Sequence, residues 1–95
     1  MLEYMHNIKK GGMKVSKKDK QFYKLLHKKT LSSDEAVRLC EIDGWYDDPE
    51  HPFDGSHKHM VHPTKPGKVT IPMGRKCLKK KTHDSILKDA GLLGD

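Results

Sequence analysis

Gly55-Ser56-His57-Lys58-His59-Met60-Val61-His62-Pro63, followed closely by Pro66-Gly67-Lys68-Val69-Thr70-Ile71-Pro72, sets a histidine-dense segment and a basic, β-branched one on either side of a turn. The pattern predicts two antiparallel strands, Ser56 to Val61 and Lys68 to Ile71, joined through Pro63-Thr64-Lys65-Pro66-Gly67. Alternate residues of a strand share a face, so His57 and His59 point one way and Ser56, Lys58 and Met60 the other. His62 faces opposite to His57 and His59.

Upstream of this hairpin, Trp45-Tyr46 reads as a short strand, cut off by Asp47-Asp48-Pro49-Glu50-His51-Pro52, whose two prolines predict a loop. Before it, Ser32-Ser33-Asp34-Glu35 offers a capping box ahead of Ala36, Val37, Leu39, Cys40 and Ile42. That predicts a helix running to about Asp43 and closed by Gly44. Earlier still, Ser16-x-x-Asp19 can cap a helix over 17 to 28, with Phe22, Leu25 and Leu26 as its apolar stripe. Downstream, Pro72-Met73-Gly74-Arg75 ends the hairpin. The Lys79-Lys80-Lys81 run leads to Thr82, read as the N-cap of a last helix through Ser85, Ile86, Leu87 and Ala90, with Gly91 closing it and Leu92 packing back. Residues 1 to 15 carry no sustained periodicity and read as a disordered lead-in, with Met13 a candidate start.

The order helix, helix, strand, strand, strand, helix predicts an α+β fold, a three-stranded antiparallel sheet with helices over one face. A chain of 95 residues with 34% hydrophobic residues supports one modest core, hence a single domain over 16 to 95.

Nineteen Lys and Arg against thirteen Asp and Glu give a net charge of +6, with lysines crowded into 9 to 29 and 76 to 81. This points to an anionic partner, beside the plainer reading that lysine serves solubility. No apolar run approaches the roughly twenty residues that span a bilayer, and Met1 to Gly12 lacks a signal peptide's apolar centre, so no membrane association and a cytoplasmic protein are expected. Cys40 and Cys77 lie far apart without metal or redox spacing and read as reduced, structural thiols. The aromatic residues are too scattered to form a base-stacking platform.

Histidine titrates near neutrality, and two imidazoles on one strand face suit general acid-base work. In RNA cleavage, one group withdraws the proton of a ribose 2′-hydroxyl as that oxygen attacks phosphorus, and a second protonates the leaving 5′-oxygen. Lys58, Lys68 and Arg75 are candidates to stabilise charge on the phosphate, with Ser56 a further phosphate contact. The route needs no cofactor, and there is no Walker loop, dinucleotide glycine fingerprint or carboxylate cluster of a magnesium nuclease. A plainer reading makes these histidines partly exposed sheet residues. A metal reading, using His57, His59 and His62, is opposed by strand alternation.

Gly55-Ser56-His57, Lys58-His59, His62-Pro63, the run Lys65 to Pro72 and Ser85-Ile86-Leu87-Lys88-Asp89-Ala90-Gly91-Leu92, taken in this order, resemble the HicA toxin family of bacterial toxin-antitoxin systems. The resemblance spans roughly residues 32 to 92, with the helix over 17 to 28 similar to that of longer members. It implies a double-stranded-RNA-binding-like α-β-β-β-α fold with an extra N-terminal helix, and an mRNA interferase, an endoribonuclease acting on mRNA. It further implies His57 as the essential catalytic residue and a HicB-type antitoxin as partner. On that reading His59 or Lys68 assists, and Ser56, Lys58, Lys68, Arg75, Lys79, Lys80 and Lys81 contact RNA. A non-catalytic RNA-binding module of the same fold is the alternative. Met60 stands where members commonly carry an aromatic residue and Asp84 where they carry a basic one, and the segment from Trp45 to Gly55 is longer than usual.

Overall fold

The computed structural model describes residues 17–93; the expected lead-in, Met13 and the Ser16 cap lie outside them. Helix α1 (Lys17–Leu26) and helix α2 (Ser33–Ile42) are followed by strands β1 (Tyr46–Asp47), β2 (Phe53–Asp54), β3 (His57–Val61) and β4 (Val69–Pro72), then helix α3 (Lys80–Asp89). The α+β architecture is the one expected.

β3 is the central strand. β4 pairs with it antiparallel, His59 opposite Thr70 and Met60 opposite Val69. β1 and β2 share the other edge, Tyr46 opposite Val61 and Phe53 opposite Lys58, so the two short strands form one interrupted strand and the sheet has three positions. The interruption is closed at both ends by one residue: Asp48 N–H donates to the His59 carbonyl at 3.0 Å, and His59 N–H donates to the Pro52 carbonyl at 2.9 Å. β2 was not anticipated from the sequence. Its two residues follow the proline-rich loop directly and are strand only because β3 offers them an edge.

Met60, Val69 and Ile71 face the helices and are fully buried with Leu39, Ala36, Cys40 and Trp45. α2 and α3 pack on β4, and α1 lies against α2. Amphipathic spacing explains this placement: α1 buries Phe22 and Leu25, and α3 buries His83, Ile86 and Leu87.

The helix ends follow local chemistry. At the start of α2 the capping box is complete, Glu35 N–H donating to Ser32 Oγ at 3.1 Å and Ser32 N–H to Glu35 Oε1 at 3.0 Å. Lys28 pairs with the same Glu35, tying the end of α1 to the start of α2. The Glu35 carboxyl lies below the usual range, first because of that lysine and then because of the Ser32 N–H. α2 closes on Gly44 at φ +107°, with Trp45 N–H on the Cys40 carbonyl at 3.0 Å and Gly44 N–H on the Glu41 carbonyl at 3.0 Å, a Schellman arrangement. α3 ends the same way through Gly91 and Leu92. Lys65 joins both ends from the β3–β4 turn, donating to Asp43 Oδ2 at 2.6 Å and to the Ala90 carbonyl at 3.0 Å.

Several boundaries differ from expectation: α1 ends at Leu26, β1 and β4 each lie one residue later in the chain, β3 begins at His57, and the start of α3 moves the most. α3 begins at Lys80 with Lys79 as N-cap and no side-chain cap, so Thr82 lies within the first turn instead of capping it. The start is set by the preceding residue: Leu78 is buried and its N–H donates to the Leu31 carbonyl at 2.7 Å, directing the chain into the helix before it reaches Thr82.

Candidate active site

His57 opens β3 opposite Pro72, and Met73 N–H donates to the Ser56 carbonyl at 2.8 Å, which extends the β3–β4 pairing past the histidine and fixes its backbone. Its side chain is exposed and has no hydrogen-bond or ion-pair partner among the described residues. It lines an open cleft of about 300 Å³ with Arg75, Lys79, Thr82 and Cys77, over Pro72 and Leu78.

Ser33 holds the arginine side of this cleft. Its hydroxyl donates to the Pro72 carbonyl at 2.6 Å and accepts the Arg75 N–H at 2.9 Å, while Ser33 N–H donates to the Arg75 carbonyl at 2.9 Å. The turn carrying Arg75 is therefore fixed from the buried start of α2.

His59 lies two residues further along the same face as His57, half-buried, with Nδ1 at 3.1 Å from Thr70 Oγ1. Thr70 in turn lines a neighbouring cleft of about 360 Å³ with Lys79, Lys81, Thr82 and Ser85. Lys79, the N-cap of α3, and Thr82 in its first turn belong to both clefts.

The structure thus brings His57, Arg75 and Lys79 together, with His59 and Lys81 nearby. It directs other candidates elsewhere. Lys58 lies on the opposite strand face, 13% exposed, paired with Asp47 at 2.7 Å and 4.9 Å above the Phe53 ring. Lys68, before β4 at the end distant from His57, pairs with Asp48 at 2.9 Å. Lys80 pairs with Asp84 at 3.2 Å and faces α1. Ser56 is exposed beside His57, its carbonyl used by Met73.

His62 is separated from the other two histidines, as strand alternation requires. Its Nε2–H donates to the Asp43 carbonyl at 2.8 Å and its Nδ1 accepts N–H groups from Thr64 and Lys65, both at 3.1 Å, so one neutral tautomer satisfies all three bonds. Its ring packs edge-on against Trp45 at 5.2 Å. Among the described residues no three His, Cys, Asp or Glu side chains converge as a metal site.

Two cleft residues were not anticipated. The sequence suggests Thr82 as a cap, whereas a helix that starts at Lys80 puts Thr82 in its first turn, three residues from Lys79. Cys77 was read as structural but is exposed on the cleft wall, unlike buried Cys40. Nothing local in the sequence distinguishes the two.

A small α+β domain with a β-hairpin histidine facing a basic cleft, backed by helices on the other side of the sheet, defines the class. The profile described as "HicA toxin of bacterial toxin-antitoxin" matches residues 33–92, which is more than half of the chain. The chain belongs to the HicA toxin family, whose double-stranded-RNA-binding-like fold agrees with the architecture described above. A search of the curated proteins returned no match. α1 precedes the matched segment. Among the described residues no helix is long and apolar enough to cross a membrane.

Proposed function

We propose that this HicA-family toxin is a metal-independent endoribonuclease that cleaves mRNA, with His57 as its catalytic residue, and that a HicB-type antitoxin neutralises it in the cytoplasm. The observation that carries the reading is an exposed, unpartnered imidazole sharing a cleft with Arg75 and Lys79. His57 acts as general base: it takes the proton of a ribose 2′-hydroxyl as that oxygen bonds to the adjacent phosphorus. The bond from phosphorus to the 5′-oxygen breaks, and that oxygen leaves with a proton from a general acid. The strand then ends in a 2′,3′-cyclic phosphate and a 5′-hydroxyl. His59, on the same strand face, is the candidate acid. Arg75 and Lys79 face the charge that grows on the non-bridging phosphate oxygens.

The experiment is incubation of the purified chain, free of antitoxin, with RNA in the presence of chelator. Cleavage is expected, with His57→Ala slower by about a hundredfold to ten-thousandfold, the range of a lost acid-base group. Equal cleavage by His57→Ala overturns the assignment. RNA that is bound but stays intact would favour the non-catalytic RNA-binding module.

A further inference from the structure

α3 presents a second stripe, Lys80, His83, Asp84 and Leu87, toward the end of α1, one residue round from the stripe that serves the His57 cleft. Between the two helices is an open cleft of about 410 Å³, floored by Leu26 and Leu87 and rimmed by Lys28, Lys29, Lys80 and Asp84. His83 lines it. That residue is only 5% exposed, yet its imidazole has no hydrogen-bond partner among the described residues. The buried unpartnered side-chain atoms among the described residues are Tyr23 Oη and Trp45 Nε1, not the His83 nitrogens, so those nitrogens reach the cleft surface, where an outside group can take the ring N–H.

The charges on the rim are unequal. Lys28 is paired with Glu35 and Lys80 with Asp84, while Lys29 has no ion-pair partner among the described residues. One uncommitted ammonium beside an unpartnered imidazole matches a phosphate oxygen. Continuity argues for RNA as its source: consecutive residues Lys79 and Lys80 belong to the His57 cleft and to this one, so a strand leaving His57 across the first turn of α3 arrives here.

We propose that the α1–α3 cleft is a second phosphate subsite for the RNA strand, in which Lys29 supplies charge and His83 donates a hydrogen bond. The inference rests on the RNA reading of the His57 cleft. Leu26, Lys28 and Lys29 lie before the family-matched segment, so the subsite spans that segment and the chain that precedes it. Asp84 opposes binding there by holding Lys80.

The test is binding of a 2′-O-methyl RNA oligonucleotide, which has no free 2′-hydroxyl to react, measured by fluorescence anisotropy over a range of salt. Lys29→Gln and His83→Phe are each expected to weaken binding by about threefold to tenfold, and Lys29→Gln to lower the slope of log affinity against log salt by about 0.7, one single-strand phosphate contact. Asp84→Asn is expected to tighten it. Lys29 is exposed, so its substitution reports even if His83→Phe proves unstable. Wild-type affinity and slope in Lys29→Gln overturn the subsite while leaving the RNA reading standing. Wild-type protein that binds no oligonucleotide overturns both. Variants that keep RNA affinity but lose the antitoxin would reassign the cleft to protein docking.

Discussion

The Ser33 hydroxyl and the Arg75 backbone are locked together, Oγ accepting the Arg75 N–H at 2.9 Å while donating at 2.6 Å to the carbonyl of Pro72, three residues earlier in the same turn. Ser33 is buried at the first turn of α2, so the cleft wall opposite His57 is positioned by a helix that contributes nothing else to it. Ser33→Ala leaves the Arg75 N–H and the Pro72 carbonyl short of a partner. A loss of about 1–3 kcal/mol in urea unfolding is expected, the range for orphaning buried polar groups. If His57 and Arg75 act on one phosphate, Ser33→Ala also lowers cleavage under conditions where it is fully folded, whereas Ser32→Ala, which removes only the helix cap, lowers stability by about 1 kcal/mol without that effect.

Gly44 is constrained twice. Its φ of +107° disfavours any side chain, and an added Cβ would sit 2.8 Å from His62 Nε2. That ring cannot retreat without losing its bond to the Asp43 carbonyl. Gly44→Ala is expected to destabilise by about 1–3 kcal/mol from the backbone alone, with the clash in addition. A double-mutant cycle with His62→Ala isolates the clash: the combined loss should be smaller than the sum of the single losses. Strict additivity would show that the ring moves aside freely.

The two thiols should behave differently. Burial, aided by the nearby Asp43 carboxylate, pushes the Cys40 thiol up to about 12, so at neutral pH it is neither accessible nor ionised. Cys77 is exposed at the His57 cleft. Iodoacetamide on the native protein is expected to label Cys77 alone, with Cys40 labelled only after denaturation. Peptide mapping checks this, and native labelling of Cys40 would show that the core opens.

What the sequence made legible were features decided within a few residues. The Ser32–Glu35 capping box, the glycine endings at Gly44 and Gly91 and the alternation that parts His62 from His57 and His59 all depend on short-range geometry, and all were readable. β2 and the true start of α3 depend on partners far away in the chain, His59 and β3 for one and Leu31 for the other. Site membership behaved likewise. Strand alternation put His57 and His59 on one face and the family resemblance alone weighted His57, while the grouping of Arg75 and Lys79 in its cleft is made by Ser33 and Leu78. Lys58 and Lys68 suit phosphate contact by sequence alone, but the fold pairs them with the carboxylates of Asp47 and Asp48.

Asp48 explains how the long connection before β3 is held, and it makes that connection sensitive to acid. Its carboxylate, 8% exposed, meets Lys68 Nζ at 2.9 Å and accepts the Glu50 N–H at 3.0 Å, while its own N–H caps the His59 carbonyl. The lysine first, and then the Glu50 N–H, hold the Asp48 carboxyl below its ordinary range. A carboxyl more acidic in the folded than in the unfolded chain binds fewer protons when folded. Its stabilisation is therefore complete above the ordinary aspartate value of about 3.9 and is lost as pH falls through the lower folded value. Thermal melts of wild type should fall on acidification below about pH 4 more steeply than those of Asp48→Asn, which lacks the titrating group and starts lower at neutral pH. Because both ends of the loop close on His59, amide exchange at His59 should rise in Asp48→Asn at neutral pH and in wild type only in acid. Parallel acid profiles for the two proteins would show that the ion pair with Lys68 does not hold this edge of the sheet.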